Sequence, residues 1–259
     1  MSYSPEDLVQ LAEAVRDVLA QLQSTFLQLT LKADTLLSRE RAREFAQHGL
    51  ARRLGILRRC IENIYAIFPP GRRDVLSHDE LSDVAINLHS FVINIEGVQD
   101  NIAWVYVLEH GLEDTIGSPT RIGLFKRETQ RHLPEEVREY LRRPATQQWH
   151  EQHAKDYRDA LAHRIPLYVP PFEVKASSAE RYRQLDREAQ EHLVAGNLDA
   201  AANARVERDA LASPCIFFKH SLSQEDPSQP IALHPQLVAD SRTVLEIIAL
   251  VFKHLRSAA

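Results

Sequence analysis

The sequence has few of the residues that mark several common protein classes. Glycine makes up only 8 of its 259 residues, which argues against glycine-rich phosphate-binding loops and against a β-sandwich with many tight turns. Its two cysteines, Cys60 and Cys215, fit neither a disulfide framework nor the spacing of a metal site. We expect reduced thiols in the cytoplasm, with no metal and no cofactor.

Long apolar runs are also missing. No stretch approaches the roughly 20 apolar residues that span a bilayer. The N-terminal residues lack the basic region and apolar run of a signal peptide. The sequence therefore predicts a protein without a membrane partner.

An excess of positive charge is absent as well, because the formal net charge is −5. Overall basic character would indicate nucleic-acid binding. The arginines occur in local clusters, such as Arg52-Arg53 and Arg142-Arg143, that are typical of solvated helix faces. One such face can still bind a phosphate backbone, since the local field matters more than the net charge.

The residues that are abundant, Leu, Ala, Arg, Glu and Gln, favour helices. Caps, apolar spacing and proline stops predict an all-α fold, an antiparallel helical bundle. The predicted helices of the bundle cover about residues 5–37, 39–68, 77–111, a short stretch after Pro134, and 144–164. We expect residues 115–134 to form a loop.

The helix predicted over 77–111 has the clearest pattern, with apolar residues on most sides, including Ile86 and Ile93. Such a helix is typical of a central, buried position. Asn87, Asn94 and Asn101 repeat every seven residues on one side of it. This polar stripe predicts either hydrogen bonds between helices or the border of a binding groove.

Three regions organise the prediction. Residues 1–171 form the helical bundle, and residues 172–212 form a peripheral helical arm that is interrupted at Gly196-Asn197. Residues 213–259 contribute a small β-hairpin, with strands near 215–218 and 231–233, and a last helix over about 235–255 that completes the bundle domain.

The short strip Arg158-Asp-Ala-Leu-Ala-His163 is the most promising chemical feature. The spacing alone is not specific, because Arg187 and His192 share it within a solvated stretch. The small and apolar residues inside the strip predict packing against the protein. Asp159 lies four residues before His163, where a carboxylate can orient an imidazole. Pro166 ends the helix close behind, so His163 lies at the negative end of the helix dipole.

Arg158-Asp159 followed by His163 resembles the signature of the HEPN superfamily of helical proteins, an Arg, a polar residue and a His four to six positions after the Arg. The stretch from His163 to Pro171 is similar to an uncharacterised bacterial branch of HEPN-like proteins. The specific match covers about residues 150–171, and the helical pattern supports it from about residue 40.

The resemblance implies a HEPN-type bundle and a metal-independent endoribonuclease of bacterial defence or toxin type. It implies a homodimer in which two motif helices build one cleft for RNA, and an antitoxin or other defence protein as a partner. His163 would move protons during attack of a ribose 2′-hydroxyl, Arg158 would stabilise the phosphate, and Asp159 would support His163. Candidate substrate-binding residues are Asn94, Asn101, Arg164 and Tyr157.

Two alternatives stay open. The chain could be a non-catalytic HEPN-like protein that binds a nucleotide or a protein partner. The strip could also be a structural ion pair at a helix end. A metal site at His150 and His153 lacks a third ligand in the sequence.

Overall fold

The structure is a computed structural model that describes residues 3–219 and 230–256. It is mostly helical, as the composition predicts. The helices are α1 (Pro5–Leu31), α2 (Ala33–Leu36), α3 (Glu40–Glu44), α4 (Arg52–Ile67), α5 (His78–His110), α6 (Glu113–Ile116), α7 (Arg127–Gln130), α8 (Glu135–Arg142), α9 (Pro144–Trp149), α10 (Asp156–His163), α11 (Ala179–Val194), α12 (Leu198–Asp209) and α13 (Leu233–Arg256). None of the described helices combines the length and apolar character needed to cross a bilayer.

The two best predicted helix starts are confirmed by their caps. The Ser4 hydroxyl accepts a hydrogen bond from the Asp7 backbone N–H at 3.1 Å, and the Ser77 hydroxyl accepts one from Glu80 at 3.2 Å. In each case the acidic side chain also accepts from the backbone N–H of the serine. These reciprocal bonds satisfy backbone donors that the first helical turn leaves unpaired.

Two of the predicted helices contain π-helical segments that the sequence pattern did not indicate. Residues Phe45–Ala51 lie between α3 and α4, and residues His150–Lys155 lie between α9 and α10. The backbone stays helical through both segments, so each predicted helix is continuous but locally wider. A wider turn changes which side chains share a face.

Helix α5 is the centre of the bundle and contacts α4, α10 and α13. Its buried side chains include Leu88, Phe91 and Val98, which confirms the central position. The expectation that it is apolar and covered on most sides is only partly correct. Ile86 is 64% exposed and Ile93 is 48% exposed, because no other element of the described chain covers that side.

The asparagine stripe of α5 forms hydrogen bonds with α4. Asn63 donates to the amide oxygen of Asn87 at 2.9 Å. The Arg53 guanidinium donates to the amide oxygen of Asn94 at 3.1 Å and to that of Asn101 at 2.8 Å. It lies directly over Gly97, where an added Cβ would be 2.3 Å from the guanidinium carbon. The stripe is therefore an interface between two helices.

The segment 115–134 is more ordered than the predicted loop. It contains the end of α6, a 3₁₀ turn at Pro119–Arg121, and α7. Thr129 is fully buried, and its hydroxyl accepts from the Gly123 N–H and donates to the Arg121 carbonyl, both at 3.1 Å. Leu124 is also buried. Glycines and prolines suggested a loop, but these tertiary contacts hold the segment in one shape.

The arm is a helical hairpin of α11 and α12, and its break is confirmed at Gly196, which has a φ of +77°. A 3₁₀ turn at Ala176–Ser178 precedes it. Strands β1 (Glu173–Val174) and β2 (Ala212–Ser213), which were not predicted, pair antiparallel at its base, with Glu173 opposite Ser213. This pairing joins the two ends of the arm.

The predicted hairpin strands are confirmed as β3 (Phe217–Phe218) and β4 (Ile231–Ala232), which pair antiparallel with Phe217 opposite Ala232. The predicted connecting turn lies outside the described residues. Helix α13 follows directly and packs against α1, α5 and α8. His234 at its start is buried, and its Nε2 donates to the Phe68 carbonyl at 2.7 Å.

Candidate functional site

Helix α10 carries Arg158 and His163 but does not bring them together. They lie five positions apart, which corresponds to about 140° of rotation and about 7.5 Å of rise along an α-helix. Ala160 between them is fully buried, whereas Ala162 is exposed. The helix thus packs along one side, and the packing expected for the whole strip holds only for part of it.

His163 is exposed at the C-terminal end of α10. Within residues 3–219 and 230–256 its side chain forms no hydrogen bond or ion pair. The expected contact with Asp159 is not formed, since the Asp159 carboxylate instead pairs with the Arg158 guanidinium at 3.0 Å. The strip therefore contains an ion pair, as the structural alternative predicts, but this pair joins Arg158 to Asp159 and leaves out His163.

The segment after His163 is fixed by contacts on both sides. The His89 ring donates to the Leu167 carbonyl at 2.7 Å, and Leu167 is buried. Tyr168 pairs with Lys219 through two backbone hydrogen bonds of 2.8 and 3.1 Å. Because Pro166 stops the helix and these contacts hold the following residues, the position of the exposed His163 is well defined.

Arg158 faces the opposite way, into a cleft of about 560 Å³. Its guanidinium lies 3.9 Å from the Glu96 carboxylate, which is too long for a hydrogen bond. Its Nε is buried and has no hydrogen-bond partner in the described structure. The guanidinium is thus held by its ion pair with Asp159 and by packing.

The cleft lies between α5, the ordered segment 115–134 and the helix that carries Arg158. Its polar lining residues are Glu96, Gln99, Asp100, Thr120, Lys126, Gln130, Gln147, His150, Glu151, Lys155 and Arg158. Its apolar and aromatic wall includes Trp104, Ile122, Leu124 and Phe125. Sequence reasoning missed this cleft because its walls come from segments 20 to 60 residues apart.

The π-helical segment His150–Lys155 is what gives the cleft two of its side chains. In an α-helix, residues five apart lie about 140° from each other. Hydrogen bonds from i to i+5 widen the turn, so residues five apart move towards the same face. His150 and Lys155 are five apart and both line the cleft.

A hydrogen-bond network forms the floor of the cleft. The Gln99 amide nitrogen donates to Glu96 Oε2 at 3.0 Å, and the Gln99 oxygen lies 3.0 Å from His150 Nδ1. The Phe125 ring stacks on the His150 ring, with centroids 3.7 Å apart and planes within 4°. Because an amide oxygen only accepts, Nδ1 carries the His150 proton, and Nε2 is an acceptor.

Burial sets the protonation of these groups. It raises the pKa of Glu96 to about 7, with the nearby Asp100 adding to the shift and Arg158 opposing it. It lowers the pKa of His150 to about 4, helped by the positive charges of Lys155 and Lys126. At neutral pH the His150 imidazole is therefore uncharged, while the Glu96 carboxyl group is protonated in part of the molecules.

Several charged groups of the cleft have no hydrogen-bond partner in the part of the chain that the structure describes. They are the exposed side chains of Asp100, Lys126, Glu151 and Lys155. Partial desolvation by the cleft wall raises the pKa of Asp100 despite the nearby cations. Free acceptors and free cations thus lie side by side.

The other predicted substrate-binding residues lie elsewhere. Asn94 and Asn101 bind Arg53, and Asn94 is only 7% exposed. Tyr157 is 3% exposed, and its hydroxyl lies 2.8 Å from His153 Nδ1. Arg164 is exposed and pairs with Asp156 at 3.2 Å. None of the four lines the cleft.

Among the described residues, no group of three or more His, Cys, Asp or Glu side chains could hold a metal ion. His150 and His153 bind Gln99 and Tyr157 respectively. Comparison with known proteins adds no assignment: the chain matches no protein-family model, no curated protein and no solved structure. Any function must be inferred from the residues themselves.

Proposed function

We propose that this chain is a HEPN-like, metal-independent endoribonuclease whose active site is completed by a second copy. The observation that supports the proposal is the state of His163. This side chain is exposed, lies at the end of α10 and forms no hydrogen bond or ion pair with any described residue. A histidine with a structural role would be packed or paired, whereas a general acid or base must reach its substrate.

The proposed chemistry starts with a ribose 2′-hydroxyl beside the phosphodiester to be cleaved. His163 removes the hydroxyl proton, and the oxygen attacks the adjacent phosphorus. The 5′-oxygen leaves with a proton from the protonated His163 of the second copy. The products are a 2′,3′-cyclic phosphate and a free 5′-hydroxyl.

Arg158 would bind the phosphate that carries the developing negative charge. Its Nη1 pairs with Asp159 at 3.0 Å, whereas its Nη2 lies 3.9 Å from Glu96, longer than a hydrogen bond, so the Nη2 donors are free for a phosphate oxygen. Positioned donors of this kind stabilise a transition state without reorganisation. Because Arg158 and His163 point to different sides of α10, a second motif helix is needed to place a histidine beside the arginine.

The test is cleavage of fluorescently labelled single-stranded and structured RNA in EDTA. We expect cyclic-phosphate products, and a loss of about 10²- to 10⁴-fold on His163→Ala, the range of a lost general acid or base. His192→Ala is the matched control, since Arg187 and His192 have the same spacing on the arm. This control should cleave like the parent protein.

Adding an excess of the His163→Ala variant to the parent protein tests the shared site. If each active site uses His163 of both copies, mixed dimers are inactive, and the activity falls although the amount of parent protein is unchanged. No cleavage by the parent protein, or cleavage unchanged by His163→Ala, would contradict the proposal. Binding of RNA or nucleotide without turnover would favour the non-catalytic alternative, for which the open cleft is the supporting observation.

A further inference from the structure

The cleft beside Arg158 contains two kinds of free polar group in a defined arrangement. Glu96 and Asp100 are four residues apart on α5, so their carboxylates lie on one face of that helix. Glu96 Oε2 accepts from Gln99, which leaves Oε1 without a hydrogen bond in the described residues. Neither carboxylate oxygen of Asp100 forms a hydrogen bond in the described residues. These acceptors need a ligand with adjacent N–H donors.

Cations line the same cleft. Arg158 lies 3.9 Å from Glu96 and pairs with Asp159 at 3.0 Å, so it is already engaged by carboxylates. Lys126 comes from the ordered segment and Lys155 from the π-helical segment, which also contributes the Glu151 carboxylate. Neither lysine forms an ion pair or hydrogen bond within the described chain. Two lysines with free ammonium groups in one cleft favour an anionic group such as a phosphate.

Aromatic rings also line this cleft. Trp104 and Phe125 both face the cleft, and Phe125 is already held flat against His150. The volume of about 560 Å³ falls within the size range of small-molecule sites. Planar rings of this kind stack on nucleobases, which are read through hydrogen bonds to their edges.

We propose that this cleft binds a guanine nucleotide, with the base edge on Glu96 and Asp100 and the phosphate on Lys126 and Lys155. Guanine presents a ring N–H beside an amino group, two adjacent donors that match carboxylate oxygens. Adenine presents an amino group beside an acceptor, which a carboxylate repels. The cleft therefore selects guanine over adenine.

The ligand has two possible sources, a free nucleotide or a guanosine within an RNA strand, and the second source rests on the proposed ribonuclease function. Both are tested on the His163→Ala chain, so that binding is measured without cleavage. Titrations by calorimetry and by tryptophan fluorescence use guanosine monophosphate, adenosine monophosphate, inorganic phosphate, and two pentanucleotides that differ only in a central G or A. Trp104 in the cleft wall provides the fluorescence signal.

We expect guanosine monophosphate to bind at least tenfold more tightly than adenosine monophosphate. Asp100→Asn should weaken guanosine monophosphate by about tenfold, the effect of one lost charged hydrogen bond. Lys155→Ala should weaken the binding of guanosine monophosphate but not the binding of the nucleoside guanosine, which is titrated in parallel. Asp79→Asn, on the same helix with a fully exposed side chain, is the matched control. Tighter binding of the G pentanucleotide than of the mononucleotide would identify RNA as the source.

Equal binding of the two mononucleotides, binding of phosphate alone with the same affinity, or binding unchanged by Asp100→Asn would overturn this inference. Asp100 is exposed, so its substitution should leave the fold intact even if Glu96→Gln does not. Since mononucleotides lack the phosphodiester between two nucleosides that the proposed reaction cleaves, a failed binding test leaves the ribonuclease proposal standing. Absent RNA cleavage likewise leaves the binding result valid.

Discussion

Helix α5 carries two polar surfaces that differ in how their groups are satisfied. Towards α4, Asn94 and Asn101 bind the Arg53 guanidinium at 3.1 and 2.8 Å. Towards the cleft, Asp100 has no hydrogen bond in the described chain, and Glu96 lies 3.9 Å from the Arg158 guanidinium. Both surfaces place an arginine of another helix beside polar residues of α5.

The difference separates a structural contact from a candidate site. Buried polar groups in a stable interface are paired, since an unpaired one costs about 1–3 kcal/mol. The α4 surface follows this rule. The cleft surface departs from it at a place that solvent and a ligand can reach, which is where such departures are expected to serve a function.

The largest expected difference between the two surfaces is in stability, and it is measured by removing each arginine in turn. Arg53→Ala leaves the amide oxygen of Asn94 buried without a donor, and we expect a loss of roughly 2–3 kcal/mol of unfolding free energy. Arg158→Ala should cost less than about 1 kcal/mol, because Glu96 can take up a proton when the cation is removed. Urea unfolding followed by circular dichroism measures both.

Arg52→Ala is the matched control for Arg53→Ala. Arg52 is exposed, and among the described residues its guanidinium forms a hydrogen bond only with the His48 ring. This substitution should have little effect on stability. If Arg53→Ala and Arg158→Ala lowered the unfolding free energy equally, the proposed difference between the two surfaces would be wrong.

A second prediction concerns pH. Burial raises the pKa of Glu96 to about 7, and only the ionised carboxylate accepts two hydrogen bonds. Guanosine monophosphate should therefore bind about tenfold more tightly at pH 8 than at pH 6. The charged or titratable groups facing Glu96 are Asp100, Lys155, Arg158, Asp159 and His150.

His150 stays neutral over this range, because its pKa is lowered to about 4. The Glu96→Gln variant, measured by the same titrations, should lose most of the pH dependence. A parent protein whose affinity does not rise between pH 6 and pH 8 would show that Glu96 does not contact the ligand.

The smallest expected effect concerns Asp240, a carboxyl group that is buried inside the protein, whereas Glu96 lines the open cleft. Asp240 is 5% exposed and accepts hydrogen bonds from Trp149 at 2.8 Å and from Gln236 at 2.7 Å. Burial raises its pKa to about 7. The unfolded chain releases this proton near pH 4, so the contribution of Asp240 to stability falls as the pH rises from about 4 to about 7.

Asp240→Asn keeps an oxygen acceptor and carries no charge. Above pH 7 we expect it to be more stable than the parent, by on the order of 1 kcal/mol. The difference should shrink at pH 5, where the carboxyl group is protonated in the folded protein. Thermal unfolding at the two pH values measures this, and equal destabilisation at both would show that the charge of Asp240 does not govern its contribution to stability.

The sequence alone determined the long helices and several of their ends, although the helix predicted over residues 5–37 ends at Leu31 and is followed by the short α2. The caps at Ser4 and Ser77, the break at Gly196 and the stop before Pro166 all act between residues within a few positions of each other. Because such interactions are local, they can be read from spacing and residue type. The position of His163 at the end of its helix followed from the same rules.

Only the tertiary structure decided which polar groups meet. Whether the asparagine stripe forms an interface or a groove depended on Arg53, about 40 to 50 residues away from it. The cleft required a π-helical segment and an ordered segment that looked like a loop. Contacts over such distances depend on how whole helices pack, so the free carboxylates beside Arg158 could not be recognised from the sequence strip that contains it.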